Sequence, residues 1–300
     1  MPELPEVETV LRGLQAALPG RRILEVRLGK TDFIEDPAAL ETHLPGARVR
    51  GADRHGKFLR VDLESTGEGA KPFALLIHLG MTGQIVVARP QAPIPPHTHV
   101  FLSLDDGKEL RYTDIRRFGV MRLLADGARE KAFASLGIDA LVATEEQFAA
   151  ALHGRRARIK AVLLDQGVLA GLGNIYVDES LWRARIHPMH LAATLKRDEV
   201  RRLYRAVRDV LNEAIRLRGS SVSDYVDSEG RRGEFQLRHR VYQREGEKCF
   251  RCGAKIRRAI VAGRSSHFCP RCQRVPRTSR PRGPRRGTIR KKRDSSLRSE

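Results

Sequence analysis

Pro2 stands directly behind the initiator methionine, and a small residue there permits removal of Met1, which leaves a free secondary amine beside two carboxylates, Glu3 and Glu6. An α-amino group has a reference pKa of about 8, so part of it is neutral near neutral pH and can attack a sugar C1′ to give an iminium. In a buried pocket one carboxyl can stay protonated and donate to the ring oxygen while the other orients the amine. The same Pro-Glu-Leu-Pro-Glu also reads as the cap of a helix beginning near Glu6, with acids at its positive end, and taken alone the stretch favours that second reading.

All four cysteines fall as Cys249-x2-Cys252-x16-Cys269-x2-Cys272, a spacing at which two tight turns present four thiolates tetrahedrally to zinc. Two disulfides are the competing arrangement. A reduced compartment and CxxC pairs separated by a hairpin-length segment favour one structural zinc ion, because four protein ligands leave no open position for Lewis-acid chemistry. Lys255, Arg257, Arg258 and Arg264 lie between the pairs and give the hairpin a basic face.

The chain has 300 residues, a formal net charge of +20 and 41% hydrophobic residues, enough for two cores and suited to a polyanionic partner. The tail from Gln273 to Glu300 carries 11 Lys/Arg against 2 acids, which leaves about +11 on the rest. Charge alone separates neither DNA from RNA nor an enzyme from a binding protein. Neither a secretory signal nor a long apolar run appears, so the expectation is a cytoplasmic chain without a membrane partner. No dinucleotide or phosphate-loop motif indicates a nucleotide or redox cofactor.

These groups must be positioned by two kinds of element. Short apolar runs broken by turn residues predict strands over Ile23–Val26, Phe58–Leu63, Phe73–Ile77, Gln84–Val87, Val100–Leu104 and Val120–Leu124, with a hairpin turn at Asp105–Lys108 and an amphipathic helix over Glu6–Leu18. After Gly137 helical spacing takes over, at Glu145–His153, Arg158–Asp165, Asn174–Arg183 and Asp198–Arg218. The polar stretch from Gly219 to Gly233 predicts a mobile surface loop, and the Pro/Gly/Arg-rich end predicts disorder.

As a set, five separated stretches resemble the formamidopyrimidine-DNA glycosylase family: Met1-Pro-Glu-Leu-Pro-Glu-Val-Glu-Thr-Val10, His78-Leu-Gly-Met-Thr-Gly83, Tyr112-Thr-Asp-Ile-Arg-Arg-Phe-Gly119, Gly171-Leu-Gly-Asn-Ile-Tyr176 and the four-cysteine finger. The resemblance covers nearly all of Pro2 to Gln273. It implies an α+β, multidomain fold: an N-terminal β-sandwich with flanking helices (1–130), a helical helix-two-turn-helix domain (131–235) and a zinc finger (236–273), followed here by a basic tail (274–300). It also implies a monomeric bacterial enzyme of base excision repair, nucleoid-associated, acting on double-stranded damaged DNA. Such an enzyme removes oxidised purines and then cleaves the strand by β,δ-elimination.

By that resemblance Pro2 is the Schiff-base nucleophile, Glu3 the proton donor in base removal and Glu6 a supporting carboxylate, which reverses the preference for a mere helix cap. Lys57 matches the lysine that donates a proton during β-elimination, and Arg264 the finger arginine that holds phosphate and assists δ-elimination. His97, Arg116, Arg155 and Asn174 match DNA contacts. Met81, Arg116 and Phe118 match the residues that fill the void left by an extruded nucleotide. Gln243 departs from the family's usual glycine in Val241-Tyr242-Gln243-Arg244, the lesion-capping loop at 220–233 is variable, and the basic tail has no usual counterpart. An endonuclease VIII-like glycosylase for oxidised pyrimidines shares the fold, but Leu4 stands where that subfamily usually has glycine. A noncatalytic DNA-binding zinc-finger protein would have no need of a free N-terminal proline.

Overall fold

The computed structural model describes residues 2–67, 69–125, 133–222 and 224–275. Helix α1 (Leu4–Ala17) is followed by β1 (Ile23–Leu28), α2 (Pro37–His43), β2 (Arg48–His55), β3 (Phe58–Glu64), β4 (Pro72–His78), β5 (Gln84–Ala88), β6 (Thr98–Leu104), β7 (Glu109–Thr113) and β8 (Val120–Ala125). Two four-stranded antiparallel sheets, β2-β3-β4-β8 and β1-β6-β7-β5, share one core. Leu59, Val61 and Ile77 of one sheet meet Val100, Leu102 and Leu110 of the other, with Val10 and Leu14 of α1 among them. This is the expected β-sandwich.

All six predicted strands are present, and the Asp105–Lys108 turn joins β6 to β7. Two further strands carry no alternating signal. β2 has few apolar residues at the sheet edge, and β7 is buried throughout, with the Arg111 guanidinium paired to Glu109 at 2.8 Å. An ion pair at the two polar positions lets a strand be buried on both faces without an apolar run.

The second half holds α3 (Glu145–Leu152), α4 (Ile159–Leu164), α5 (Asn174–Ala184) and α6 (Arg197–Arg216) around a separate core. The first turn of α1 ties the two halves. Leu4 is packed into the second core while Val7 onward lies in the first, and Leu4 N–H donates to Gly171 O at 3.1 Å. Burying one leucine contributes about 2 kcal/mol, and a Cβ on Gly171, whose φ is +107°, would lie 2.3 Å from Leu4. The chain start is thereby pinned at the junction.

The 219–233 stretch departs from expectation. Ser220, Ser221, Tyr225, Asp227 and Ser228 are buried, Tyr225 joins the first core, and Val87 N–H donates to Ser228 O at 2.9 Å. The segment looks polar because its hydroxyls satisfy backbone groups: Ser221 Oγ donates to Tyr225 O and accepts from Gly233 N–H. Gln243, which stands where the resemblance leads one to expect glycine, holds a left-handed conformation (φ 56°) in the turn into the finger, at a cost of about 1 kcal/mol relative to glycine. The 130/131 boundary and the tail from residue 276 lie outside the described residues.

Candidate active site and metal centre

Pro2, Lys57, Phe58, His78, Gly173 and Arg264 line one cavity of about 180 Å³ between the sandwich, the helical half and the finger. Each arrives by a different local device. Lys57 sits in the two-residue Gly56-Lys57 turn between β2 and β3, where Gly56 adopts φ +58° and a Cβ would meet Ala170 at 2.8 Å. Behind it, the buried Asp139 accepts from Gly56 N–H (2.7 Å) and pairs with Arg54, which also pairs with Glu8 of α1 at 3.0 Å. The lysine turn is thus clamped to both halves.

Glu3 and Glu6 are buried behind Pro2. Glu3 is the N-cap residue of α1, which begins at Leu4 rather than near Glu6, and its N–H donates to Glu6 Oε2 at 2.8 Å. Its carboxylate reaches α5, accepting from Ile175 N–H (3.1 Å) and Tyr176 N–H (3.4 Å). Gly173, the N-cap of α5, supplies no side chain, and a Cβ there would fall 2.2 Å from Glu3 Cδ. Glu3 therefore caps α5 in place of the missing side chain, so helix capping and chemistry at the chain start are compatible. Glu6 accepts from Tyr176 Oη and from Ser220 N–H (2.7 Å).

Burial sets the protonation of this group. It raises the Glu3 carboxyl, opposed by the nearby Lys57 ammonium. Burial and then the Glu3 charge push Glu6 up to about 7. Burial lowers Lys57, opposed by Glu3, while Arg264 lowers it further. His78 falls to about 4 through burial and Lys57, so it is neutral at pH 7, its Nδ1 accepting from Gly80 N–H at 3.1 Å. Carboxyls raised and an ammonium lowered toward neutrality can hold and pass protons.

The raised Glu6 value has a sign in stability. The folded state keeps this proton where the unfolded chain, near 4.5, has lost it. The resulting stabilisation is complete below about pH 4.5 and is lost as pH rises through about 7. Glu6→Gln is expected to flatten that part of the profile, read as a smaller difference between urea midpoints at pH 5 and pH 8.

None of the residues expected from the sequence to contact DNA is among those that line this cavity. Met81 and Phe118 are 37% and 54% exposed, and the exposed Arg116 guanidinium stacks 4.5 Å over the Phe118 ring. His97 is exposed and left-handed (φ 65°). Asn174 opens α5 with its Oδ1 buried and unpartnered among the described residues. Arg155 follows α3, its Nε donating to Ala151 O at 2.9 Å, and is not among the cavity-lining residues.

The four cysteine sulfurs lie within 4.8 Å of one another. Zinc–thiolate bonds of about 2.3 Å imply sulfur–sulfur edges of about 3.8 Å, so the cluster fits one tetrahedral ion. The finger has a small core of its own, built on Trp182, Val241 and Ile256 with the cysteines, and its hairpin β9 (Arg257–Val261) and β10 (Arg264–Phe268) begins its second strand at Arg264. Trp182, the chain's single tryptophan, donates Nε1–H to Cys249 Sγ at 3.4 Å. One zinc per chain is expected, and chelation should expose Trp182 and red-shift its emission as this small core opens. An unchanged spectrum after complete zinc removal would contradict a metal-held finger.

Sequence reading missed the groups that aim the finger. Lys160, fully buried, donates to Asp178 Oδ1 and Ser265 O, each at 2.7 Å, and Asp178 Oδ2 accepts from His267 N–H at 2.8 Å. Glu179 accepts from the N–H groups of Arg240, Val241 and Tyr242. Asp178-Glu179 on an otherwise apolar helix face was the available signal, since buried acids need partners.

Comparison with known proteins gives three matches in chain order: the formamidopyrimidine-DNA glycosylase N-terminal domain over residues 1–121, the formamidopyrimidine-DNA glycosylase H2TH domain over 136–226, and the zinc finger found in FPG and IleRS over 246–275. The formamidopyrimidine-DNA glycosylase of Solibacter usitatus is 45% identical over 276 residues, and that of Heliobacterium modesticaldum 46% over 283, each covering 91% of this chain and all of the relative. Among solved structures, a Lactococcus lactis FPG mutant in complex with a Fapy-dG containing DNA superposes with a TM-score of 0.83 at 35% identity. MutM in complex with carbocyclic 8-oxo-G containing DNA gives 0.82 at 36%, and both cover 91% of this chain and all of theirs.

Proposed function

This chain belongs to the formamidopyrimidine-DNA glycosylase family, and from that premise we propose that it removes oxidised purines, 8-oxoguanine and formamidopyrimidines, from duplex DNA and then opens the strand. The observation that carries the reading is the convergence of Pro2, Lys57 and Arg264 on one cavity backed by Glu3 and Glu6. The neutral Pro2 nitrogen attacks C1′ of the extruded nucleotide. Glu3, placed behind it, supplies a proton as the C1′–base bond breaks and the sugar ring opens to the iminium. Loss of a C2′ proton expels the 3′ phosphate, and a second elimination, with Arg264 on the phosphate, expels the 5′ phosphate. Lys57 serves as proton donor in the first of these. A one-nucleotide gap remains.

Duplex binding draws on the basic surface, with His97, Arg116, Arg155 and Asn174 as contacts and Met81, Arg116 and Phe118 in the vacated stack. The chain acts as a monomer in the bacterial cytoplasm at the nucleoid. The relatives match 91% of this chain, so the basic tail is largely its own extension. Deleting residues 274–300 is expected to make the log–log slope of affinity against salt shallower by several units; an unchanged slope would exclude the tail from DNA contact.

The test of the whole reading is borohydride trapping on a duplex with 8-oxoguanine opposite cytosine, beside a matched thymine-glycol duplex. A covalent adduct with the first supports it. Trapping only with thymine glycol moves the activity to oxidised pyrimidines, and tight binding without trapping makes the chain a noncatalytic binder.

A further inference from the structure

Asp114, directly after β7, is 0% exposed and is not among the residues that line the reactive cavity. Its carboxylate nevertheless gathers four donors, three from the two loops that carry the exposed Met81, Arg116 and Phe118 and one from Tyr112 of β7. Oδ1 accepts from Thr82 Oγ1 (2.5 Å) and Arg116 N–H (3.2 Å), and Oδ2 from Tyr112 Oη (3.1 Å) and Gly119 N–H (2.9 Å). Its own N–H donates to His97 O at 3.0 Å. Thr82 follows Met81 and Gly119 follows Phe118, so each probing side chain is at most one residue from an atom that Asp114 holds.

The two loops are packed backbone on backbone. A Cβ on Gly80 (φ +57°) would lie 2.3 Å from Phe118 O, and one on Gly119 would lie 1.8 Å from Tyr112 Oη. Thr82 Oγ1 closes the set by accepting from Arg116 N–H at 3.1 Å. Such close packing leaves the loops one relative position, and the carboxylate supplies the acceptors that this position needs. Four donors on two oxygens is a task no uncharged isostere can perform, because an amide offers one acceptor oxygen and turns two hydrogens toward donors.

We propose that Asp114 is a positioning residue that locks the Met81 turn and the Arg116–Phe118 loop into a single probing unit, set against the duplex by the bond to His97. This rests on the proposed function, since only a duplex offers a stack to probe and a partner base to meet. A void-filling side chain displaced by about 1 Å loses about 100-fold in rate. A single-stranded abasic site has no void to fill and no base to extrude, so it requires the cavity but not the probe.

The experiment compares Asp114→Asn and Thr82→Val with wild type in single turnovers on two substrates: duplex 8-oxoguanine opposite cytosine, and a single strand with a pre-formed abasic site. Expected for Asp114→Asn is a fall of about 100-fold on the duplex and less than about 3-fold on the single strand, with Thr82→Val showing the same split at about 10-fold. Equal falls on both substrates would make Asp114 a general stabiliser and overturn the proposal, as would unchanged duplex excision. Should Asp114→Asn fail to fold, Thr82→Val carries the test alone, and a wild-type duplex rate in that variant overturns the proposal. Wild-type protein that cleaves the abasic strand but leaves 8-oxoguanine in the duplex instead overturns the proposed function.

Discussion

A chain extended by one residue ahead of Pro2 is expected to form no borohydride-trapped adduct with 8-oxoguanine DNA and to lose strand cleavage by about 10⁴-fold or more, the scale on which enzymes lose activity with their nucleophile. The extension converts the Pro2 nitrogen to an amide, whose lone pair is delocalised into the carbonyl and cannot attack carbon. Lysine is not a ready substitute. Lys57 lines the same cavity, but it is held in its hairpin turn by Gly56, Arg54 and Asp139. Pro2→Gly keeps a free amine and should weaken trapping without removing it. DNA binding by the extended chain, measured by fluorescence anisotropy at fixed salt, should change by less than about 10-fold, because neutralised phosphates supply most of the affinity and the extension removes no Lys or Arg. Undiminished trapping by the extended chain would move the nucleophile to another residue.

The second large effect is expected for Glu3→Gln. Glu3 takes two N–H groups at the start of α5 and stands behind Pro2 with its carboxyl raised by burial. Glutamine fills the same volume but cannot donate an acidic proton, and its amide hydrogens face the positive end of the helix. Base removal should fall by about 10³-fold, with a stability loss of about 1 kcal/mol from the damaged cap. Cleavage of a pre-formed abasic duplex should fall by no more than about 10-fold, since no base has to leave. Single-turnover rates on the two substrates separate these steps. An equal fall on both would place Glu3 in service of the amine rather than of the departing base.

Much of this architecture is legible in the chain. The cysteine spacing implies a metal site because two CxxC turns bring their own ligands together locally, and the strand runs and helical spacings locate most elements because each buries one face. The N-terminal Pro-Glu-Leu-Pro-Glu announces its chemistry only beside the other four matching stretches. What stays hidden shares one property, that polar groups are buried with partners far away in sequence. Strand β7 conceals itself by pairing Glu109 with Arg111, and Ser220, Ser221 and Ser228 read as solvent-facing although they are buried, with Ser220 N–H donating to Glu6. Asp114 stands in plain view inside a motif yet gives no sign of the four donors it collects.

The zinc ligands and the order of domains were thus determined by the sequence itself, since local spacing and chain order suffice for them, whereas the candidate reactive residues followed from it only through the resemblance of the whole set. Only the tertiary structure decided how those residues would be tuned. Glu3 caps a helix whose bonded N–H at Ile175 is 172 residues away, Glu6 loses its water to Tyr176 and Ser220, and Lys57 meets Arg264 across the joint between sandwich and finger. Desolvation and coulombic fields depend on which surfaces close over a group, and those surfaces exist only once the two cores and the finger have come together.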